Sequence, residues 1–259
     1  MRKAYFWAFA VIAVATILTG CEKEDKDEIS MDEVTKGVQK YTTLTNKVIE
    51  YVDLGLPSKL LWATCNVGAT SPEQSGLFFS WAEVEPKQRY HYDTYKWIVD
   101  GDPFCFTKYC QNKNRGYNQF TDKLAVLEKS DDAAIHYIDS IWQTPSKKNY
   151  EELMFYCSQK CCKLNGQWGY LFTSTQSGYT DRSIFIPLSG FIDIDKNSYE
   201  SRYGYYWINS LSSDDVINAS AFVLQHKDDI NNTSVKYTDR YRGLPIRAVA
   251  KNSDLNKSK

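Results

Sequence analysis

Histidine is scarce in this chain: His91, His136 and His226 are the only three in 259 residues, and they lie on different segments. No pair has zinc-ligand spacing, so each reads as a surface or capping residue and no metal site is assigned. An excess of charge of one sign is also missing. Lys plus Arg number 31 against 32 Asp plus Glu, which leaves no basic footprint for nucleic acid. Methionine is limited to three residues, whereas Tyr, Phe and Trp number 19, 12 and 7. That balance suits a β-rich body whose rigid rings fill the core and decorate loops. With 42% hydrophobic residues the chain is globular rather than disordered. No nucleophile, base and orienting group stand out together, so no catalytic residue and no cofactor is assigned.

What is present begins at the N-terminus. Arg2 and Lys3 precede an apolar run from Ala4 to Thr16, the layout of a secretory leader. The run meets Leu18-Thr19-Gly20-Cys21, which resembles the lipobox of bacterial lipoproteins. Small residues before Cys21 let an extended backbone enter a peptidase, and the thiol takes the lipid. A transmembrane anchor is the alternative, but such a helix needs no small residues and Cys at its end. Residues 1–20 are therefore expected to be a signal peptide and Cys21 the lipid attachment site, with two or more acyl chains giving stable membrane anchoring. The charged run Glu22 to Glu28 is similar to the surface-export signal of Bacteroidetes lipoproteins. The expected location is the outer membrane, facing the cell exterior.

Residues 21–46 read as an acidic tether and linker, 47–250 as the folded domain and 251–259 as a polar tail. In the body, Val48 to Val52 and Leu60 to Thr64 read as strands. Gly68 to Gly76 is turn-rich, and Glu85 to Cys110 is a long aromatic excursion of the kind more often functional than idle. The clearest helix starts after Pro145 with Ser146 as cap, placing Tyr150, Leu153, Met154 and Cys157 on one face. A weaker helix follows Asp131 or Asp132. Asn165-Gly166 is a two-residue hairpin signal, and Ser183 to Pro187, Tyr205 to Ser210, Ala219 to Leu224 and Leu244 to Val249 supply further strands. This order predicts an α+β fold with a mostly antiparallel sheet.

These segments carry a family resemblance. Val52-Asp53-Leu54-Gly55-Leu56-Pro57-Ser58 with Leu61-Trp62-Ala63-Thr64-Cys65-Asn66-Val67-Gly68-Ala69 resembles the opening of the Fibrobacter succinogenes major paralogous domain. Phe79-Ser80-Trp81-Ala82-Glu83, Thr107-Lys108-Tyr109-Cys110, Asp131-Asp132-Ala133-Ala134, Trp142-Gln143-Thr144-Pro145-Ser146, Ile184-Phe185-Ile186-Pro187, Gly204-Tyr205-Tyr206-Trp207 and Ile246-Arg247-Ala248-Val249 follow in order. The resemblance implies a C-type-lectin-like fold, two helices against antiparallel sheets with a long loop excursion. It brings no activity. The Glu85-Pro86-Lys87 and Trp207-Ile208-Asn209 segments depart from the calcium-dependent sugar site of lectins. Asp193, Asp195 and Asn197 have the spacing that opens an EF-hand loop, but Ser198 and Gly204 stand where that loop needs Gly and a bidentate carboxylate.

Six further cysteines, Cys65, Cys105, Cys110, Cys157, Cys161 and Cys162, are an even set in an exported chain. They are disulfide candidates of open pairing, or buried free thiols. In the excursion, Tyr92, Tyr95 and Trp97 are the ligand-site candidates, since rings beside polar groups fit a glycan; the alternative is that they fold inward and pin the loop. The expected function is a lipid-anchored surface module binding a glycan or protein. A structural component of the envelope is the alternative, and a relative of formylglycine-generating oxidases a more distant one.

Overall fold

The computed structural model describes residues 26–213, 215–227 and 230–255. The leader, Cys21 and the start of the acidic run lie outside the described residues. Among the described residues no helix is long and apolar enough to cross a membrane.

The architecture is β-rich α+β, its sheets mostly antiparallel. A five-stranded antiparallel sheet has the order β2 (Val38–Thr42), β3 (Val48–Asp53), β4 (Leu60–Ala63), β14 (Val249–Lys251), β5 (Trp142–Gln143). A four-stranded sheet runs β1 (Glu28–Ile29), β6 (Cys157–Leu164), β7 (Gln167–Ser174), β8 (Ser183–Pro187), parallel only between β1 and β6. A third sheet is β11 (Tyr203–Leu211), β12 (Asn218–Lys227), β13 (Ile230–Asp239), and β9 (Phe191–Asp193) pairs with β10 (Lys196–Ser198) as a hairpin. The helices are α1 (Asp32–Thr35), α2 (Ala133–Tyr137), α3 (Lys147–Tyr156) and α4 (Asn252–Leu255).

Local chemistry sets several of these elements. Ser146 and Asn149 form a reciprocal capping box at the start of α3, and its Tyr150 and Leu153 are buried as the spacing requires, with Met154 half-buried; Cys157, expected on the same helical face, instead has extended backbone and opens β6. Asp132 caps α2 by accepting from Ala134 N. Asn165 and Gly166 both take positive φ, 49° and 78°, at the β6–β7 turn, which a two-residue hairpin of this hand demands.

Two hydrophobic cores share the same strands. Leu61 and Ala63 of β4 face the core built on Trp81, Trp142 and Trp207, while Leu60 and Trp62 face the core built on Tyr150, Phe172 and Phe222. Strand β12 divides likewise, with Ala219, Ala221 and Val223 on one side and Phe222 and Leu224 on the other. The period of two explains both assignments.

Four boundaries differ from the sequence expectation, the first being the expected strand Leu244 to Val249, of which only Val249 enters a strand, β14, while the residues before it run as irregular chain. Residues 28–42 are not a linker: β1 pairs with β6, β2 with β3, and Ile29, Val34 and Tyr41 are buried. The short, polar-flanked apolar positions Ile29 and Val34 gain burial from distant strands, and β2 is ordered by the adjacent β3. The tail closes as α4 with Leu255 buried. The excursion is also longer than Glu85 to Cys110, since no strand pairs in a named sheet between β4 and β5; short 3-10 turns and single bridges such as Phe79 with Leu244 hold it.

Candidate functional site

The excursion is fastened from within. Tyr95 is 4% exposed and its hydroxyl donates to Trp81 O at 2.9 Å, while Trp97 Nε1 donates to Ala82 O at 2.8 Å. Tyr95 packs with Ile98, Phe106, Cys110, Val216 and Tyr241 in a satellite cluster of its own. Tyr95 is therefore not a solvent-facing plate, and Trp97 is half-buried with Lys96 and Lys108 ammonium groups 4.3 and 5.0 Å from its ring. A long irregular segment has few backbone pairs to order it, so its rings are drawn to the core to do so. Of the three candidates Trp97 and Tyr92 keep part of their surface open, and Tyr95 does not. Tyr92 is half-buried, donates to Asp239 Oδ1 at 2.8 Å and lies 4.4 Å from the Tyr241 ring.

No two of the six cysteines are bonded to each other in the structure: Cys110, Cys157 and Cys162 are buried, and Cys65, Cys105 and Cys161 are half-buried. Cys161 and Cys162 are adjacent on β6, so they project to opposite faces and into different clusters. Burial pushes Cys157 and Cys161 up to about 12 and Cys162 up to about 11, which keeps them protonated and unreactive at neutral pH. The Asp193 carboxylate is engaged by Arg242 Nη2 at 3.3 Å and the Tyr241 hydroxyl at 3.2 Å. Among the described residues no three His, Cys, Asp or Glu side chains gather as a metal site.

The motifs behind the family resemblance turn out to be architecture. Asp132 Oδ1 and Oδ2 accept from Thr144 Oγ1 and N at 2.7 and 2.8 Å, joining two of the quoted motifs. Asp131 accepts from Lys108 Nζ and Tyr109 Oη at 2.6 Å each, joining a third to them. Trp81 and Trp207 donate their indole N–H groups to Ile208 O and Phe79 O at 2.9 and 2.6 Å. Arg247 is fully buried and donates to the carbonyls of Ala63, Thr64 and Phe185. Residues engaged in this way hold the fold, and all of those named but Lys108 are buried.

A cleft of about 480 Å³ opens on another face, between Lys47–Glu50, residues 65–70 and the C-terminal end of α2. Its origin is local. Thr64 N makes the last bond from the β4 side to Glu50 O, at 2.9 Å; beyond it the chain leaves β3 and is captured by Ile246, through Val67 N to Ile246 O at 2.9 Å. Gly68 then turns with φ +81°, where a Cβ would meet the Leu77 side chain at 2.4 Å. Val48, Ile49, Val67 and Ile138 supply apolar walls, and Lys47, Glu50, Asn66 and Thr70 supply polar groups. Lys47 Nζ donates to Tyr137 O at 2.6 Å and so ties β3 to α2 across the opening. The Cys65 thiol lines the cleft, pushed up by burial while the Arg247 guanidinium pulls it down. Sequence reasoning did not assemble this site, although part of the motif Leu61 to Ala69, with the cysteine Cys65, and the start of the turn-rich stretch after them lie on it. Compared with protein-family models, with curated proteins and with solved structures, the chain matches none of them.

Proposed function

We propose that this chain is a binding module, held on the outer membrane by lipid on Cys21 and facing outward, which takes a glycan or protein segment in the cleft beside Cys65. The observation that carries the reading is the cleft itself. Its volume falls within the roughly 300–1,000 Å³ of small-molecule sites, and it combines apolar walls with a few polar groups that fix orientation. The strand, helix and hairpin order, with its long excursion, supports a C-type-lectin-like arrangement of the major paralogous kind. The leader and lipobox support the anchor.

Arrays of glycans and of surface peptides probed with the full-length protein test the reading, using Val48→Trp as the comparison. Val48 is 55% exposed in the cleft wall, so a larger ring fills the opening without entering the core. Ligands retained by the native chain should be lost by the variant. Equal retention by both sinks the cleft as the site, and an empty array with the protein bound in a large envelope assembly favours the structural role. Mass spectrometry of the mature N-terminus tests the anchor: an unacylated Cys21 removes it. Protease added to intact cells tests the orientation, which fails if the body is fully protected.

A further inference from the structure

Away from the cleft and sharing no residue with it, a continuous run of rings and charges crosses β9, β11 and the segment 239–242. Phe191 lies 5.7 Å from Tyr199 and 5.0 Å from Tyr205, and Tyr203 lies 5.6 Å from Tyr199 and 6.1 Å from Tyr205, centroid to centroid. The Arg242 guanidinium sits 5.0 Å from the Phe191 ring and 6.0 Å from Tyr241. Tyr241 in turn is 4.4 Å from Tyr92. The placement follows from the backbone. Tyr203 and Tyr205 alternate with Gly204 and the buried Tyr206 on β11, so the two rings share a face. The β9–β10 hairpin folds against them because Gly190 has φ +64° and room only for hydrogen: a Cβ there would come within 2.4 Å of Asn197 Oδ1. Tyr199, just past the hairpin, is 56% exposed.

The polar groups along the run have a particular balance. Arg242 pairs with Asp193 and Asp239 at 3.3 Å each. Tyr241 and Tyr92 donate their hydroxyls to the same two carboxylates, at 3.2 and 2.8 Å. Both acids and the Arg keep about a quarter to a third of their side-chain surface open, at 31%, 27% and 27%. Two carboxylates against one guanidinium leave the group with one excess negative charge.

We infer that this run is a platform for a neutral saccharide. A sugar ring has an apolar C–H face and a rim of hydroxyl donors. The tyrosines offer ring faces already fixed by packing on Phe191, so little side-chain freedom is lost when a sugar is stacked on them. The carboxylates offer acceptor lone pairs to the hydroxyls. The excess negative charge disfavours uronates and sulfated glycans, which bring like charge. An aliphatic ligand is disfavoured too, since each exposed or half-exposed ring of the run is a tyrosine with a polar tip.

Affinity electrophoresis of the full-length protein in detergent, through gels containing a soluble β-glucan, a galactomannan, a xylan or polygalacturonate, tests this. At least one neutral polysaccharide should retard the native protein, and polygalacturonate should not. Tyr199→Ala should weaken retardation about tenfold, the loss of one stacking face, with Tm unchanged because the residue is more than half exposed. Tyr199→Phe keeps the face and should retain binding. Tyr203→Ala serves as a second loss variant should Tyr199→Ala melt early. Val48→Trp should bind as the native chain does, which separates this platform from the cleft. Retardation by none of the neutral polysaccharides, stronger retardation by polygalacturonate, or retention by both tyrosine-to-alanine variants would overturn the inference.

Discussion

Asp132 is a point at which the fold is sensitive to a single change. Its carboxylate is buried and accepts three bonds: Ala134 N at 3.0 Å and Thr144 Oγ1 at 2.7 Å on Oδ1, and Thr144 N at 2.8 Å on Oδ2. Through them it starts α2 and fixes the chain between β5 and Ser146. Burial pushes the carboxyl above its ordinary 3.8, with the hydrogen bonds opposing that rise. The ionised form is thus not favoured by its setting, and what the protein loses on truncation is the bonds. Asp132→Ala strands two buried backbone N–H groups, each costing about 1–3 kcal/mol, while the Thr144 hydroxyl can rotate to another acceptor. The expected loss is about 2–6 kcal/mol, a large share of the ~5–15 kcal/mol that stabilises a domain. Asp132→Asn keeps Oδ1 with two of the three bonds and sets its amide against Thr144 N–H, for a loss of about 1–2 kcal/mol. Urea unfolding followed by tryptophan fluorescence should show this order, with Tm falling by roughly 4 °C or more for the alanine variant. A loss below about 1 kcal/mol for Asp132→Ala, or equal losses for both variants, would refute the reasoning.

Tyr95→Ala should lower stability by about 3–5 kcal/mol, the cost of removing a buried ring, and the thermal melt checks it; an unchanged melt would mean the ring is exposed in solution. A chain lacking residues 26–43 should lose cooperative unfolding, because Ile29, Val34 and Tyr41 are buried and Tyr41 Oη donates to Asp139 Oδ2 at 2.7 Å; a body starting at Lys47 that melts like the native one would restore the linker reading. Stability should fall above pH 9 and keep falling to about pH 12. Cys157, Cys161 and Cys162 are held above the ordinary thiol value of 9.0 in the fold, so the unfolded chain loses its thiol protons first and unfolding is favoured as pH rises through that window. The midpoint of urea unfolding against pH reads this directly, and a flat profile from pH 8 to 11 contradicts the burial of the thiols.

Local rules reached a definite part of this molecule. A capping Ser146, a two-residue Asn165-Gly166 turn and alternating β-branched and aromatic residues act over a few positions, so helix α3, the β6–β7 hairpin and the strands β3, β4, β8, β11 and β12 were legible from the chain alone. Strand β13 was not. Its Ile230–Asp239 run is mostly polar and carries no apolar period, and it is a strand because β12 supplies its hydrogen-bond partners. Strand β1 was missed for the same reason, since it pairs with residues more than a hundred positions away, while β2 has a mostly polar sequence that becomes a strand by pairing with the adjacent β3. The candidate sites lie further still from local reach. Whether a ring points inward depends on what receives it: Tyr95 meets Trp81 O nearby, while Tyr92 meets Asp239 across 147 positions. The cleft exists because β4 parts from β3 when Ile246 captures the chain. The tyrosine platform exists because a hairpin, a strand and an arginine from separate parts of the sequence converge on Phe191. The sequence alone determined which residues are apolar, which are capped and where the chain turns; tertiary packing decided which of those residues remained at the surface, because burial depends on partners that no local pattern encodes.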